Sequence, residues 1–289
     1  MRAVLGRVAD YYALSKPRII VLLLITTLAA MVMAARGVPP LALTCWTLLA
    51  GSLAAASAGA LNCVYDADID AVMERTKRRP IPAGRIPARN AAIYATLCGA
   101  ISFALFYYFV NPLAAWLSLA GNVYYVAVYT MWLKRITPLN IVIGGAAGAV
   151  PPLVGWAAVT HDIGAPALGL FALIFLWTPP HFWSLALVTE TDYAKAGVPM
   201  LPNVSGEERT KREIIYYTLL LVLASLALYP LHVMGAFYLA GASVLGGIFV
   251  VDALRAWRGS KTAARGLFRY SLLYLALICA VMVIDRIVA

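Results

Sequence analysis

The sequence predicts an all-α, polytopic membrane protein with about nine transmembrane helices. Of its 289 residues, 63% are hydrophobic and only 12% are charged, and the mean hydropathy is +0.82. A soluble domain carries about a quarter charged residues. Windows of about 18 or more nearly uncharged residues recur along the chain, each long enough to cross the hydrocarbon core of a bilayer. Because backbone polar groups in lipid must be satisfied within the segment, these windows favour helices over strands.

The predicted spans follow one another along almost the whole chain. A polar and charged segment, 1–16, precedes them and is predicted to lie at the membrane interface. The predicted spans are 19–35, 41–62, 90–110, 112–133, 139–160, 164–187, 214–234, 236–254 and 267–285. Pro179 and Pro180 favour a break in the sixth span. Since the spans leave little room for a soluble domain, residues 1–289 are predicted to form a single transmembrane domain.

The basic residues predict the orientation of the protein. With nine spans, the N-terminus and the loops after spans two, four, six and eight lie on one side, and these segments hold almost all of the 23 Lys and Arg residues. Only Arg36 and Arg286 fall on the other side. The positive-inside rule therefore predicts a multi-pass protein of the cell membrane with a cytoplasmic N-terminus and an external C-terminus. Topology accounts for the net charge of +10 without a nucleic-acid partner.

An acidic motif lies at the end of the second predicted span. Asn62, Asp66 and Asp70 are spaced four residues apart, so on a helix they drift by only about 40° per step and share one face. An amide and two carboxylates on one face can hold Mg²⁺, which prefers a few carboxylates, water and substrate phosphate oxygens. The alternative is a solvated helix end, which Asp68 and Glu74 would serve as well. Asp68 lies off the shared face and is expected either to be exposed or to support the metal ligands from behind.

Basic residues follow the acidic motif directly. Arg75, Lys77, Arg78 and Arg79 are able to clamp phosphate oxygens, and arginine does so with two parallel hydrogen bonds. Carboxylates for Mg²⁺ beside arginines for phosphate are typical of diphosphate binding, and the membrane location indicates a lipid diphosphate. A second long loop, 188–212, also carries acids beside bases, which suggests two half-sites facing each other.

Six separated sequence blocks carry a resemblance to a known family. The blocks are Lys16-Pro17-Arg18; Asn62-x-x-x-Asp66-x-x-x-Asp70-x-x-Met73-x-Arg75-Thr76-x-x-Arg79-Pro80; Lys134-Arg135-x-Thr137-Pro138-x-Asn140-Ile-Val-Ile-Gly144-Gly145; Gly148-Ala-Val-Pro151-Pro152-Leu-Val-Gly155-Trp156; Trp177-Thr178-Pro179-Pro180-His181-Phe182-Trp183; and Asp192-Tyr193-x-x-Ala196-Gly197-Val-Pro199-Met200-Leu201-Pro202. The chain resembles the UbiA-type intramembrane prenyltransferase superfamily and, within it, the heme O synthase (protoheme IX farnesyltransferase) family. The acidic motif is shared across the superfamily, whereas the last two blocks are typical of the heme-modifying branch.

The resemblance implies a fold, a reaction and a set of partners. Nine helices would surround a central cavity covered by cytoplasmic cap loops. An Mg²⁺-dependent enzyme would transfer a farnesyl or longer prenyl group from its diphosphate to a vinyl group of protoheme IX (heme B), with addition of water, to give heme O. Its partners would be these two substrates and membrane lipid. A partner that handles heme or assists oxidase assembly is left open by the sequence.

The resemblance also extends the candidate site. The expected metal ligands are Asn62, Asp66, Asp70 and Asp192, and the expected diphosphate-binding residues are Asn62, Arg75, Arg79, Lys134, Arg135 and Lys195. The superfamily usually has a second pair of aspartates four residues apart. This chain instead has Glu190 and Asp192 with Ala196 at the next position, so only Asp192 is expected to contribute from that half.

His181 is the third expected catalytic residue, after Asp66 and Asp70. A neutral imidazole beside Pro179 and Pro180 could ligate heme iron or orient the water that completes the reaction. The alternative is a histidine hydrogen-bonded to backbone groups that the prolines free. Aromatic candidates for contacting heme are Trp177, Trp183 and Tyr129, although Trp and Tyr are also enriched at membrane interfaces.

Two other functions remain open at this point. A prenyltransferase acting on a quinone precursor or another ring acceptor would share the acidic motif but not the block at 177–183. A secondary transporter would also have many apolar spans and a helix interrupted by proline, but its acids would lie near the membrane midplane. The acids of this chain lie at a helix end beside arginines instead.

Overall fold

The computed structural model describes residues 2–288, so the two ends of the predicted domain, Met1 and Ala289, lie outside the described residues. Every regular element within that range is helical. The elements are α1 (Arg2–Leu14), α2 (Pro17–Ala35), α3 (Leu41–Tyr65), α4 (Ala67–Val72), α5 (Ala88–Phe109), α6 (Pro112–Val123), the π-helix π1 (Tyr124–Leu133), α7 (Lys134–Ile136), α8 (Asn140–Thr160), α9 (Ala165–Val188), α10 (Glu190–Lys195), α11 (Leu201–Ser205), α12 (Glu207–Ala227), α13 (Ala236–Arg258) and α14 (Lys261–Val288).

Seven of these helices are long and apolar enough to cross a membrane: α2, α3, α5, α8, α9, α13 and α14. They confirm an all-helical, multi-pass membrane protein and coincide with seven of the nine predicted spans. The predicted fourth span is divided among α6, π1 and α7. The predicted seventh span coincides with part of α12, which begins among charged residues.

The helices pack as a closed ring in the order α3, α5, α6, α8, α9, α12, α13, α14, α2 and back to α3. The two largest further contacts cross this ring, because α2 also packs against α8 and α9 against α14. These four helices therefore form the middle of the bundle. Of the seven long apolar helices, α9 is the most buried.

The predicted break in the sixth span is wrong. The helix α9 is continuous from Ala165 to Val188 with Pro179 and Pro180 inside it, and α8 likewise contains Pro151 and Pro152. Proline removes a helical hydrogen bond, but neighbouring helices can hold such a segment in place. Since α9 packs against α8, α12 and α14, tertiary contacts outweigh the local effect of its prolines.

Close backbone approach between α2 and α8 depends on Gly155. A Cβ atom at that position would lie 2.3 Å from the backbone oxygen of Thr27. Since the atom that this Cβ would meet belongs to the backbone of α2, a side chain could be accommodated only by moving a helix. Small residues allow this kind of approach between helices in lipid.

One end of the bundle, here called the polar end, carries the acidic motif. It comprises the starts of α2, α5, α8, α12 and α14 and the ends of α3, α7, α9 and α13, together with α4, α10 and α11. Two hydrogen bonds and an ion pair join these parts. Lys16 Nζ donates to Asn62 Oδ1, Lys211 Nζ donates to the carbonyl of Gly259 at 3.2 Å, and Lys261 forms an ion pair with Glu190 at 3.8 Å.

Candidate active site

The acidic motif lies on one continuous helical path. The helix α3 ends at Tyr65 and α4 follows, but the backbone N–H of Asp66 donates to the Asn62 carbonyl at 2.9 Å, and the N–H of Asp70 donates to the Asp66 carbonyl at 2.7 Å. The four-residue spacing is therefore preserved across the junction. Asn62, Asp66 and Asp70 are 4%, 0% and 2% exposed. A solvated helix end does not describe these three residues. It does describe Asp68, whose side chain is 65% exposed.

A different basic side chain contacts each member of the motif. Asn62 Oδ1 accepts from Lys16 Nζ at 2.5 Å, and Asp70 Oδ2 accepts from Arg79 Nη1 at 2.7 Å. Asp66 forms an ion pair with Lys134. Burying a carboxylate is costly unless it is paired and hydrogen-bonded. The three basic side chains, which come from three separate parts of the chain, therefore offset the free-energy cost of burying the motif.

Lys16 was not among the site residues expected from the sequence. It occupies the junction between α1 and α2, with a left-handed backbone (φ 54°) and Pro17 directly after it at the first turn of α2. Burial lowers the pKa of Lys16, whereas Asp66 and Asp70 act in the opposite direction. The first block of the resemblance, 16–18, was the signal in the sequence that pointed to this residue.

The donor set fits a divalent cation. Asp66 Oδ2 accepts from Lys134 Nζ and, at 2.8 Å, from Asn62 Nδ2, whereas Asp66 Oδ1 is buried with no hydrogen-bond partner. A buried carboxylate oxygen without a partner is costly and needs a physical explanation. Within residues 2–288 no cluster of three or more His, Cys, Asp or Glu side chains forms a complete metal site. A cation here would thus rely on Asp66, Asp70 and the amide of Asn62, with water or substrate oxygens completing its shell, as Mg²⁺ commonly does.

The second loop reaches this region through Tyr193. Its side chain is buried, and burial raises the pKa of Tyr193 while Arg75 and Arg79 oppose that rise. Both guanidinium groups thus act electrostatically on the phenol. Asp192, the residue expected from the sequence, is half-buried, and none of the ion pairs among the described residues involves it. The orientation of α10 thus buries the side chain of Tyr193 and leaves that of Asp192 half-buried.

Arg135 and Lys195 line a separate outer cleft. Arg135 donates to both carboxylate oxygens of Asp68 at 2.8 Å and to the carbonyl of Tyr65 at 2.7 Å, and it lowers the pKa of Asp68 to about 2. The cleft has a volume of about 320 Å³ and separates α4 from α10 and the loop after it. Its lining residues are Asp68, Ile69, Val72, Arg135, Lys195, Ala196, Gly197 and Val198. These two bases are thus not among the groups paired with the acidic motif.

His181 lies within the bundle between two aromatic rings. Trp177 stacks on one side with ring centroids 4.3 Å apart, and Phe268 of α14 stacks with centroids 4.8 Å apart. The Nδ1 atom lies 2.7 Å from the Ser271 hydroxyl oxygen, and the Trp177 indole N–H donates to the Ser271 carbonyl at 2.8 Å. The partner of His181 is therefore a side chain of α14, not backbone freed by the prolines.

The other aromatic candidates have different surroundings. Trp183 is fully buried, packs edge-on against Tyr217 of α12, and has no hydrogen-bond partner for its indole N–H. Tyr129 lies on π1 and packs closely against α8, where a Cβ at Gly144 would lie 2.2 Å from its ring. Only Trp177 of the three contacts His181 directly.

The fold and the site together define an intramembrane enzyme whose buried acidic motif is contacted by three basic side chains. Residues 23–280 match the family model described as the UbiA prenyltransferase family, and the chain belongs to that family. It is thus an integral, multi-pass membrane prenyltransferase. This membership supports the enzyme over the transporter considered from the sequence alone.

Relatives with high sequence identity carry one name. The protoheme IX farnesyltransferase of Synechocystis sp. is 58% identical over 279 residues, which cover 96% of this chain and 88% of the relative. That of Gloeobacter violaceus is 56% identical over 281 residues, covering 96% and 92%. That of Chloroflexus aurantiacus is 52% identical over 97% of this chain, which spans only 48% of that longer relative.

Solved structures share the fold at low sequence identity. A structure described as digeranylgeranylglyceryl phosphate synthase superposes with a TM-score of 0.81 at 17% identity and covers both chains completely. A UbiA homolog from Archaeoglobus fulgidus, bound to DMAPP and Mg²⁺, gives a TM-score of 0.67 at 19% identity, covering 94% of this chain and 99% of that one. These similarities establish the UbiA fold.

Proposed function

We propose that this protein transfers a farnesyl group from farnesyl diphosphate to a vinyl group of protoheme IX, with addition of water, to form heme O. The observation that carries the proposal is the identity of 52–58% to proteins named protoheme IX farnesyltransferase over at least 96% of the chain. The buried acidic motif with its three cations supplies the chemistry that such a transfer needs.

The acidic motif is the proposed Mg²⁺ and diphosphate site. Asp66 and Asp70, with the amide of Asn62, would hold the cation, and the buried oxygen of Asp66 that has no partner supports this assignment. When bound, Mg²⁺ neutralises negative charge on the diphosphate, which makes that group a better leaving group. Asp192 is kept as a proposed further ligand from the second loop.

The proposed role of Lys16, Arg79 and Lys134 is to stabilise the departing diphosphate. Each now donates to an oxygen of the motif, so each is already placed beside the expected phosphate position. Arg75 joins them from the same loop as Arg79, near Tyr193. Charge-assisted hydrogen bonds of this kind are about twice as strong as neutral ones. Arg135 and Lys195 would act at the outer cleft, where diphosphate enters or leaves.

The reaction that these residues would support is an electrophilic alkylation. The bond between the allylic carbon and the diphosphate oxygen breaks, and its electron pair leaves with diphosphate. A heme vinyl group supplies the electrons for the new carbon–carbon bond, which leaves a cation on the remaining vinyl carbon. Water adds to that cation and loses a proton, giving the hydroxyalkyl arm. Asp66 and Asp70 bind the donor, and His181 is proposed to act on the heme.

The proposed topology has nine crossings with the polar end in the cytoplasm. The continuous path α6–π1–α7 would form the fourth crossing, and α12 the seventh. The segments around α4, α10 and α11 would form the cap over the polar end, with a cytoplasmic N-terminus and an external C-terminus. The farnesyl chain would lie in a central cavity among the apolar helices.

The proposal is tested with the purified full-length protein in detergent. Heme B and Mg²⁺ are supplied with geranyl, farnesyl or geranylgeranyl diphosphate, and the pigment is weighed by mass spectrometry. We expect a mass gain equal to one farnesyl group plus one hydroxyl group, and no gain in the variant Asp66→Asn. Prenylation of another ring acceptor, with heme left unchanged, would contradict the proposal.

A further inference from the structure

One turn of α14 holds the ring of His181. Phe268 stacks on the imidazole, the Ser271 carbonyl accepts the indole N–H of Trp177, and the Ser271 hydroxyl oxygen lies 2.7 Å from His181 Nδ1. Trp177 in turn stacks on the opposite side of the imidazole. The ring thus has both faces covered and one nitrogen engaged, so its orientation is fixed.

The hydrogen bonds of Ser271 identify the tautomer of His181. The hydroxyl oxygen lies 2.7 Å from the Phe268 carbonyl oxygen as well as 2.7 Å from Nδ1. A serine hydroxyl has one hydrogen. If it pointed at Nδ1, the hydroxyl and carbonyl oxygens would face each other at 2.7 Å without a hydrogen between them. Both contacts are hydrogen bonds only if the hydroxyl donates to Phe268 and accepts from an N–H at Nδ1.

A protonated Nδ1 in a neutral ring leaves a lone pair on Nε2. Among the described residues, the hydrogen bond of the His181 ring is the one at Nδ1, and His181 as a whole keeps 8% of its surface accessible. A ligand can reach this ring only at its edge, along the direction of that lone pair.

We propose that Ser271 is a positioning residue that fixes the Nδ1–H tautomer of His181, so that Nε2 serves as an axial ligand to the iron of the heme substrate. This inference rests on the proposed function, because it needs heme as the acceptor. Histidines that bind metals almost always donate their other ring N–H to an oxygen, which orients the ring and raises its basicity as a ligand.

Iron ligation fits the surroundings better than proton abstraction from water. The ring hydrogen bond goes to a hydroxyl and not to a carboxylate, so no negative partner stabilises an imidazolium at Nδ1. A neutral ligand needs no such partner. His181 also lies seven residues before the end of α9 at Val188, about 10 Å from the polar end along the helix. The imidazole thus lies about two helical turns away from that end.

The test is a heme titration of the purified full-length protein, followed by absorption and by the iron–histidine stretching band in resonance Raman spectra. The variants are Ser271→Ala, Ser271→Thr and His181→Ala. The matched control is Ser184→Ala, because Ser184 is equally buried and donates to the backbone carbonyl of His181 at 2.7 Å without contacting the ring.

We expect Ser271→Ala to weaken heme binding by about 10-fold and to shift the iron–histidine band, as loss of an outer hydrogen bond to a metal ligand typically does. Ser271→Thr should restore both, Ser184→Ala should match the wild type, and His181→Ala should lose the band. A second approach uses His181→Gly, in which added imidazole should restore the spectrum. Ser271→Cys replaces Ser271→Ala if the latter does not fold.

Two results would overturn the inference. An unchanged heme spectrum in His181→Ala would remove iron ligation, and an unchanged affinity and band in Ser271→Ala would remove the positioning role. Formation of prenylated heme by the wild type, measured by mass in the same preparation, separates these results from failure of the proposed function itself.

Discussion

Lys134 and Asp66, 68 positions apart in the chain, form a buried ion pair in which Nζ donates to Oδ2 of the carboxylate. Asn62 donates to the same oxygen, whereas Oδ1 has no partner. The carboxylate is thus held by the protein through one oxygen and available to a further ligand through the other. The oxygen without a partner is the one that we propose to bind the divalent cation.

Removing one partner of this pair should destabilise the protein more than removing both. Lys134→Met leaves the Asp66 carboxylate buried without its cation, and we expect a loss of about 3 kcal/mol in the free energy of unfolding. Adding Asp66→Asn to the Lys134→Met variant should recover a large part of that loss in the free energy of unfolding. Denaturant unfolding in detergent of the two single variants and the double variant measures the coupling. Strictly additive effects would contradict a direct pair.

The two acids on opposite faces of the motif should differ sharply in activity. Asp66→Asn should lower the rate of heme prenylation by about 100-fold or more, since it removes a group proposed to stabilise the leaving diphosphate. Asp68→Asn is the matched control, because Asp68 is exposed and pairs only with Arg135 at the rim. The comparison is made on monodisperse protein at equal heme load. Equal losses in both variants would argue against the buried face as the site.

Lys16 should contribute to binding of the prenyl diphosphate, whereas Arg18, an exposed base two residues further on, should not. Lys16→Met removes a charge-assisted hydrogen bond worth about 1.5–3 kcal/mol. We expect kcat/KM for the diphosphate to fall by about 10- to 100-fold in Lys16→Met and by less than about two-fold in Arg18→Met. Similar values for both would mean that general surface charge, and not the half-buried Lys16, attracts the donor.

Gly155→Ala should destabilise the contact between α2 and α8, because its new Cβ would meet the Thr27 backbone oxygen at 2.3 Å. We expect a cost of about 1–3 kcal/mol, typical of overpacking. Gly148→Ala, on the same helix with nothing within 4 Å of the added Cβ, should be neutral or slightly stabilising. Thermal unfolding of the two variants side by side provides the check, and a neutral Gly155→Ala would show that the helices can separate freely.

Local periodicity was enough to predict the acidic face from the sequence. Four-residue spacing depends only on the helical repeat, and it survives the junction between α3 and α4 because both hydrogen bonds across it remain i to i+4. Seven spans were equally accessible, since hydropathy reports transfer into lipid residue by residue. The π-helix over Tyr124–Leu133 gave no such signal, as its hydrogen-bond register leaves no mark in composition.

Local sequence patterns could not predict contacts between residues that are distant in the sequence. Lys16 meets Asn62 across 46 positions, and His181 meets Ser271 across 90, so neither contact has a periodic signature. The predicted break at the prolines of α9 was wrong for a related reason. Packing against three neighbouring helices outweighs the local preference of proline. Tyr193 was overlooked beside Asp192 because the orientation of the short helix α10 decides which of the two is buried.

Dependence of the reaction on a divalent cation tests the central claim most directly. Wild-type protein treated with a chelator is mixed with heme B and farnesyl diphosphate, and prenylated heme is measured by mass spectrometry as Mg²⁺ is added back. The buried acidic motif predicts no product without the cation, recovery on addition of Mg²⁺, and no recovery in Asp66→Asn at any Mg²⁺ concentration tested. Full product formation in the chelated wild type would contradict it.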